Sequence, residues 1–320
     1  LLLTVVPGDA AGLGAQGAQQ MVVRLAPADF VTVHGADVGQ HFHILQALWQ
    51  TDVPSPEPLW LEQDASVLGL PFMVMSRAAG QAAPDFPIYN ESGFLFDAPV
   101  DYRRAAWRAS VAALAKVARL DPTRFAFLGR PDRGTTGLEQ FLGYVEEAYR
   151  AACGTVGTDG AGGHEGVENL LAWLHDHHAP TVVEGVSWGD ARMGNVLIDD
   201  AAGVTALVDW DRAMLGGPLA DLGWWLLFDR MHDEDYGSPR LVGLGTREET
   251  LLLWSQLSGL SADGVEWYEI LAATLLSAVR LRSERMRAEH GFWVPEPDNP
   301  RGADRLVARA RRMITDFEAG

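Results

Sequence analysis

Residues 187–211 read S-W-G-D-A-R-M-G-N-V-L-I-D-D-A-A-G-V-T-A-L-V-D-W-D. Residues 196–198 are apolar, 199–203 are rich in turn formers and 204–208 are apolar again, a pattern that predicts a β-hairpin. A turn centred on Ala202 sets Asn195 and Asp209 seven residues to either side. They then face each other across the ladder, roughly 5 Å apart at Cβ. An amide oxygen and a carboxylate so placed can share a hard, oxygen-seeking cation such as Mg2+, whose remaining ligands are waters and phosphate oxygens. Asp190, five residues before Asn195, stands beside that cation.

Around this stretch lies a chain of 320 residues, 48% hydrophobic, long enough for two domains or one large one over a sizeable core. With 25 Lys and Arg against 43 Asp and Glu, its formal charge of -18 repels nucleic acid and anionic membrane surfaces. The same charge attracts a cationic small molecule. A single cysteine, Cys153, cannot close an internal disulfide, so a reducing, cytoplasmic setting is expected. No apolar run approaches the ~18 residues of a membrane span, and the longest candidate, 270–279, suits a buried helix. The opening is too short for a signal peptide and carries no basic residue before its apolar run; since it lacks Met, the sequence reads as an excerpt.

In chain order, two apolar runs, 1–6 and 21–25, flank a glycine-rich connection. This is read as a mobile loop, because no helix and no G-x-x-x-x-G-K follow it. Alternation puts Arg24 on the strand face shared with Val22. Residues 38–49 carry Phe42, Leu45, Leu48 and Trp49 at helical spacing, and the prolines of T-D-V-P-S-P-E-P then force extended chain. The apolar strand 71–76 breaks into A-A-G, a place for two lobes to join. Residues 81–99 form a long Pro- and Gly-punctuated loop, and helices are predicted over 102–120, 138–149, 167–178 and 218–230 and along 248–319. The run H-D-H-H at 175–178 is read as a helix C-terminus, where positive charge suits the dipole. The acidic run 229–236 is read as a solvated helix end that could also receive a cationic substrate.

An aspartate, an asparagine five residues on and an aspartate closing a strand–turn–strand follow the logic of phosphoryl-transfer sites, where positioning and charge neutralisation supply most of the catalysis. The segments W-G-D-A-R-M-G-N-V-L-I-D and V-D-W-D-R-A-M-L-G-G-P-L-A-D-L-G-W-W resemble the aminoglycoside phosphotransferase and choline kinase-like enzymes of the protein-kinase-like fold. The resemblance is closest to the branch fused to some acyl-CoA dehydrogenases; T-D-V-P-S-P-E-P-L-W-L-E and S-V-L-G-L-P-F-M-V-M-S-R-A-A-G add to it.

The resemblance implies an α+β, two-lobed fold: a small β-rich nucleotide lobe over residues 1–78, its first strand and glycine loop falling before Leu1, and a larger α-rich lobe over 79–320. It implies ATP- and Mg2+-dependent phosphorylation of a hydroxyl on a small molecule, a cationic one included. By the same resemblance Asp190 is the catalytic base and Asn195 with Asp209 the Mg2+ ligands. Arg24 takes the place of the strand lysine that contacts ATP phosphates, Met75, Ser76, Arg77 and Ala78 form the adenine hinge, and Asp221 braces the catalytic loop. Two positions depart from the family: Trp188 replaces the histidine of H-G-D, and His41 stands where a glutamate pairs with the strand cation, leaving Glu57 or Glu62 as substitutes. A non-catalytic nucleotide-binding protein is the alternative that His41 motivates.

Overall fold

The computed structural model describes residues 2–5, 19–26, 37–154, 163–235, 237–291 and 302–319. The connection at 6–18 and most of the glycine-rich stretch after Cys153 lie outside these. Strands β1 (Leu2–Val5), β2 (Gln19–Leu25), β3 (Pro58–Glu62) and β4 (Phe72–Ser76) form one antiparallel sheet in the order β1-β2-β4-β3. The prolines before and at Pro58 had predicted only extended chain. They deliver an edge strand, and Pro58 sits at its first position, where a missing N–H costs little. Between β2 and β3, helix α1 (Val38–Leu48) starts at Asp37, whose carboxylate accepts from the N–H groups of Gly39 at 2.6 Å and Gln40 at 3.0 Å, the usual N-cap arrangement. Its buried Phe42, Leu45 and Leu48 follow the predicted helical spacing, whereas Trp49, expected on the same stripe, caps the helix and is 53% exposed.

The second lobe is helical. Its elements are α2 (Phe94–Asp97), α3 (Val100–Val117), α4 (Gly137–Cys153), α5 (Glu165–Asp176), α6 (Pro218–Glu234), α7 (Arg247–Ser258), α8 (Val265–Glu289) and α9 (Gly302–Ala319). The short α2 interrupts the expected loop at 81–99. Helix α8 runs through the centre against α4, α6 and α9, and its buried run Ile270–Ala278 explains the apolar stretch there. Among the described residues no helix is long and apolar enough to cross a membrane.

Between α5 and α6, β5 (Val196–Ile198) and β6 (Val204–Leu207) form the predicted hairpin, and it ties the lobes together. Leaving β4, the chain passes Gly80, whose φ of +95° and whose hypothetical Cβ, 2.6 Å from the Ile198 carbonyl oxygen, exclude other residues. Gln81 then exchanges both backbone hydrogen bonds with Ile198 at 2.9 Å. On the other side, the Leu207 N–H donates to Pro54 O at 2.8 Å.

The hairpin register differs from the symmetric expectation. Val196 faces Leu207, and Asn195 O accepts from the Val208 N–H at 3.0 Å, so Asp209 lies one residue past the position opposite Asn195. The cause is a tighter turn: the Asp199 carboxylate accepts from the N–H groups of Ala201 at 2.9 Å and Gly203 at 2.8 Å, and Ala202 takes a φ of 63°. Asp209 itself is left-handed, φ 60°, a conformation aspartate tolerates better than most residues. The backbone turns there and leaves the ladder.

Candidate active site

The loop before β5 is fixed by its own backbone. Ser187 and Met214 exchange hydrogen bonds at 2.8 and 3.1 Å, and the N–H groups of Trp188 and Gly189 donate to the Asp221 carboxylate at 2.6 and 2.8 Å. Burial pushes the Asp221 carboxyl up to about 7, with those two N–H groups and Arg212 pulling the other way. The Trp188 indole donates to Val208 O at 2.9 Å and lies against Trp210, so a tryptophan does the bracing expected of the family's histidine. Gly189 is at φ +88°, and a Cβ there would meet the Arg212 carbonyl oxygen at 2.2 Å. The loop can pass only as glycine.

Both oxygens of Asp190 receive two donors. Oδ1 takes Arg212 at 2.5 Å and Trp224 Nε1 at 2.9 Å; Oδ2 takes Asn195 Nδ2 at 2.8 Å and Arg192 Nε at 3.2 Å. Arg212 lies over the Trp224 ring, 4.3 Å from its centroid. Asn195 Nδ2 also donates to Asp190 O at 3.0 Å, which commits the amide nitrogen inward and leaves Oδ1 as the end a cation would use. The buried Asp209 carboxyl is pushed up by burial and then by Asp211 and Asp190, against Arg24 and Arg212. A crowded, desolvated carboxylate beside an amide oxygen is a donor set that fits a hard divalent cation. No group of three or more His, Cys, Asp or Glu that could hold a metal ion occurs among the described residues.

Arg24 emerges from β2 opposite Met73, on the Val22 face as alternation required. Its partner is neither Glu57 nor Glu62. Arg24 forms an ion pair with Asp211 Oδ2, and His41 Nδ1 sits 2.7 Å from Asp211 Oδ1. Burial raises the Asp211 carboxyl, but the bonds to His41 and Arg24 outweigh it and hold the group below the usual carboxylate range. Asp211, Arg192, Arg212 and Trp224 were given no role in the site from the sequence, although all four belong to the two motifs. At the hinge, the Ser76 N–H donates to Glu57 O at 2.9 Å and the Arg77 N–H to Gln20 O at 3.1 Å.

A small cleft opens beside Arg192, walled by Tyr89, Trp107, Trp225 and Phe228 with Asp85, Asp229 and His232. The acidic run closes α6 as a helix end with Asp233 and Glu234 exposed, but Asp229 and Asp235 are half-buried and paired. Asp229 forms an ion pair with Arg240, and Asp235 with the buried Arg309 at 2.6 Å; Asp85 pairs with Arg192. The H-D-H-H histidines likewise have structural roles: His175 meets Glu146 at 2.7 Å and His177 stacks on Trp173.

Burial pushes the cleft's His232 imidazole down from 6.5 to about 4, Asp85 and Glu91 opposing and Arg192 assisting. A pKa lower in the folded than in the unfolded state means stability fully present above pH 6.5 and lost as pH falls toward 4, up to about 3 kcal/mol. Melting curves from pH 7 to pH 4 should therefore fall more steeply for wild type than for His232→Gln. Parallel curves would remove His232 from the account.

Comparison with known proteins gives the family. Residues 12–260 match the phosphotransferase enzyme family. Chicken (Gallus gallus) acyl-CoA dehydrogenase family member 11 is 26% identical over 211 residues, 65% of this chain and 25% of its own length; the chain thus spans about a quarter of that relative. A candidate aminoglycoside phosphotransferase from Ralstonia eutropha JMP134 superposes with a TM-score of 0.65 at 20% identity, covering 92% of this chain and 84% of its own. A thermostable mutant of aminoglycoside phosphotransferase APH(4)-Ia, in ternary complex with AMP-PNP and hygromycin B, gives 0.56 at 16% identity over 98% and 93%. These structures share the two-lobed kinase-like fold, and with a family match over most of its length the chain belongs to the phosphotransferase enzyme family.

Proposed function

We propose that the chain transfers the γ-phosphate of ATP to a hydroxyl of a small molecule, with Mg2+ bound. The observation that carries this reading is the interlock of Asp190 with Asn195, whose amide nitrogen donates to the Asp190 carboxylate and carbonyl and so leaves the amide oxygen for a cation. In this reading Asp190 accepts the proton of the acceptor hydroxyl, and the guanidinium groups of Arg192 and Arg212 supply positive charge where the transferring phosphoryl gains it. Asn195 and Asp209 would hold Mg2+, which when bound neutralises the phosphate oxygens. Arg24 would meet the phosphates from β2. We place the lobe boundary near residue 78. Because the N–H groups of Ser76 and Arg77 are engaged in the sheet, adenine recognition by a hinge N–H falls to Ala78.

The acceptor would occupy the aromatic cleft beside Arg192. Its acids already have arginine partners, which leaves the formal charge of -18 as the argument for a cationic acceptor, and the aromatic walls suit a hydroxyl compound with an apolar body. The non-catalytic alternative was motivated by His41 and by the glycine loop expected before Leu1; the pairing of Asp211 with Arg24 answers the first motive and leaves the second.

Calorimetry with ATP, with and without Mg2+, followed by a screen of hydroxyl compounds for phosphorylated product and ADP, tests the reading. Mg2+-dependent binding with product supports it. Binding with no product from any acceptor or water returns the non-catalytic alternative, and the absence of binding ends both.

A further inference from the structure

The strand cation of this chain has a different anchor from the one its helix position would suggest. Residue 41 faces Arg24 across the small lobe, yet an imidazole cannot give a guanidinium the paired acceptor oxygens that a carboxylate offers. Between the two sits Asp211, two residues beyond Asp209. Its Oδ2 takes Arg24 and its Oδ1 takes His41 Nδ1 at 2.7 Å, with side-chain exposures of 32% for Arg24, 10% for Asp211 and 3% for His41. Each carboxylate oxygen is thus used by a protein donor, one from β2 and one from α1. The exposed end of the bridge is the arginine.

We propose that Asp211 is the positioning residue that orients Arg24 for nucleotide phosphates, and that His41 locks Asp211 from α1, so that the loop after β6 supplies the negative charge that α1 lacks. This rests on the nucleotide-binding reading given above. Its physical content is pre-organisation: a long cationic side chain held in its working rotamer loses less freedom when phosphate arrives. Relocating the carboxylate to α1 should then restore function, a result that a merely structural Asp211 would not give.

The test compares Asp211→Asn, His41→Glu and the double variant, each first checked for a cooperative melt. For Asp211→Asn, KM for ATP is expected to rise about tenfold while kcat changes less than about threefold. His41→Glu alone should also weaken ATP, because its carboxylate opposes Asp211. The double variant, with one carboxylate again beside Arg24, should return to within about threefold of wild type. Three results overturn the proposal: an unchanged KM in Asp211→Asn, a double variant no better than either single, or a loss that appears only as a shifted Mg2+ requirement, which would make Asp211 a metal ligand. A second measurement needs no nucleotide. Melting of Arg24→Gln, Asp211→Asn and their combination should show non-additive effects, and strict additivity refutes the bridge. If wild type binds no ATP while the melting effects are non-additive, the bridge stands as structure, and both the phosphotransferase reading and the positioning role fall.

Discussion

Asp190→Asn is expected to lower kcat by about 10³-fold, the scale of a lost general base, while ATP still binds within a few-fold of wild type by calorimetry. The substitution removes the proton acceptor and little volume. It also brings an amide NH2 against a pair of donors, since Arg212 and Trp224 converge on Oδ1 and Asn195 and Arg192 on Oδ2. Some thermal stability should go with the activity, because one of these pairs then faces a donor instead of an acceptor. Turnover within a few-fold of wild type would show that another group takes the proton.

Asp209→Asn separates chemistry from folding in the opposite sense. Activity should fall by at least about 10²-fold and respond poorly to added Mg2+, since even groups that only support a metal's ligands are worth 10–100-fold. Stability at neutral pH should rise. The folded-state pKa of this buried carboxyl lies above its ordinary value, pushed by burial and by Asp211 and Asp190. Its favourable contribution is therefore present at pH values below the ordinary carboxylate range and is lost as pH rises through the raised value. A neutral amide avoids that loss. A lower melting temperature than wild type at pH 7 would contradict this, and it would mean that Asp209 is held by partners stronger than its neighbours' repulsion.

The two-lobed architecture was legible because its decisive signals are local. The turn formers at 199–203, the helical spacing of Phe42, Leu45 and Leu48 and the strand before A-A-G all act within a dozen residues. Asp190, Asn195 and Asp209 could be named for the same reason, as they share one loop and one hairpin. Their register was misjudged by one residue, because an Asx turn at Asp199 and a left-handed Ala202 shorten the connection, and a hydrophobic pattern does not encode that. What the sequence hid are the long-range ion pairs. Arg24 and Asp211 lie 187 residues apart, and so the glutamates near in sequence, Glu57 and Glu62, were the wrong place to look. The arginine on Asp85, 107 residues away, was hidden in the same way, and an acidic run that reads as solvent-facing turns out to be partly buried structure.

The pairing of Gln81 with Ile198 has a mechanical consequence. Because the chain is stitched to β5 directly after Gly80, the segment that follows the hinge and the hairpin bearing Asn195 move as one body. The same hairpin is also bonded to the small lobe, through the Leu207 N–H to Pro54 O, and to the chain just after the hinge, through the Thr205 hydroxyl to Ala79 O. The Arg24–Asp211 ion pair adds a further tie, from β2 to the loop after β6, so the two lobes are fastened at several points besides the covalent chain.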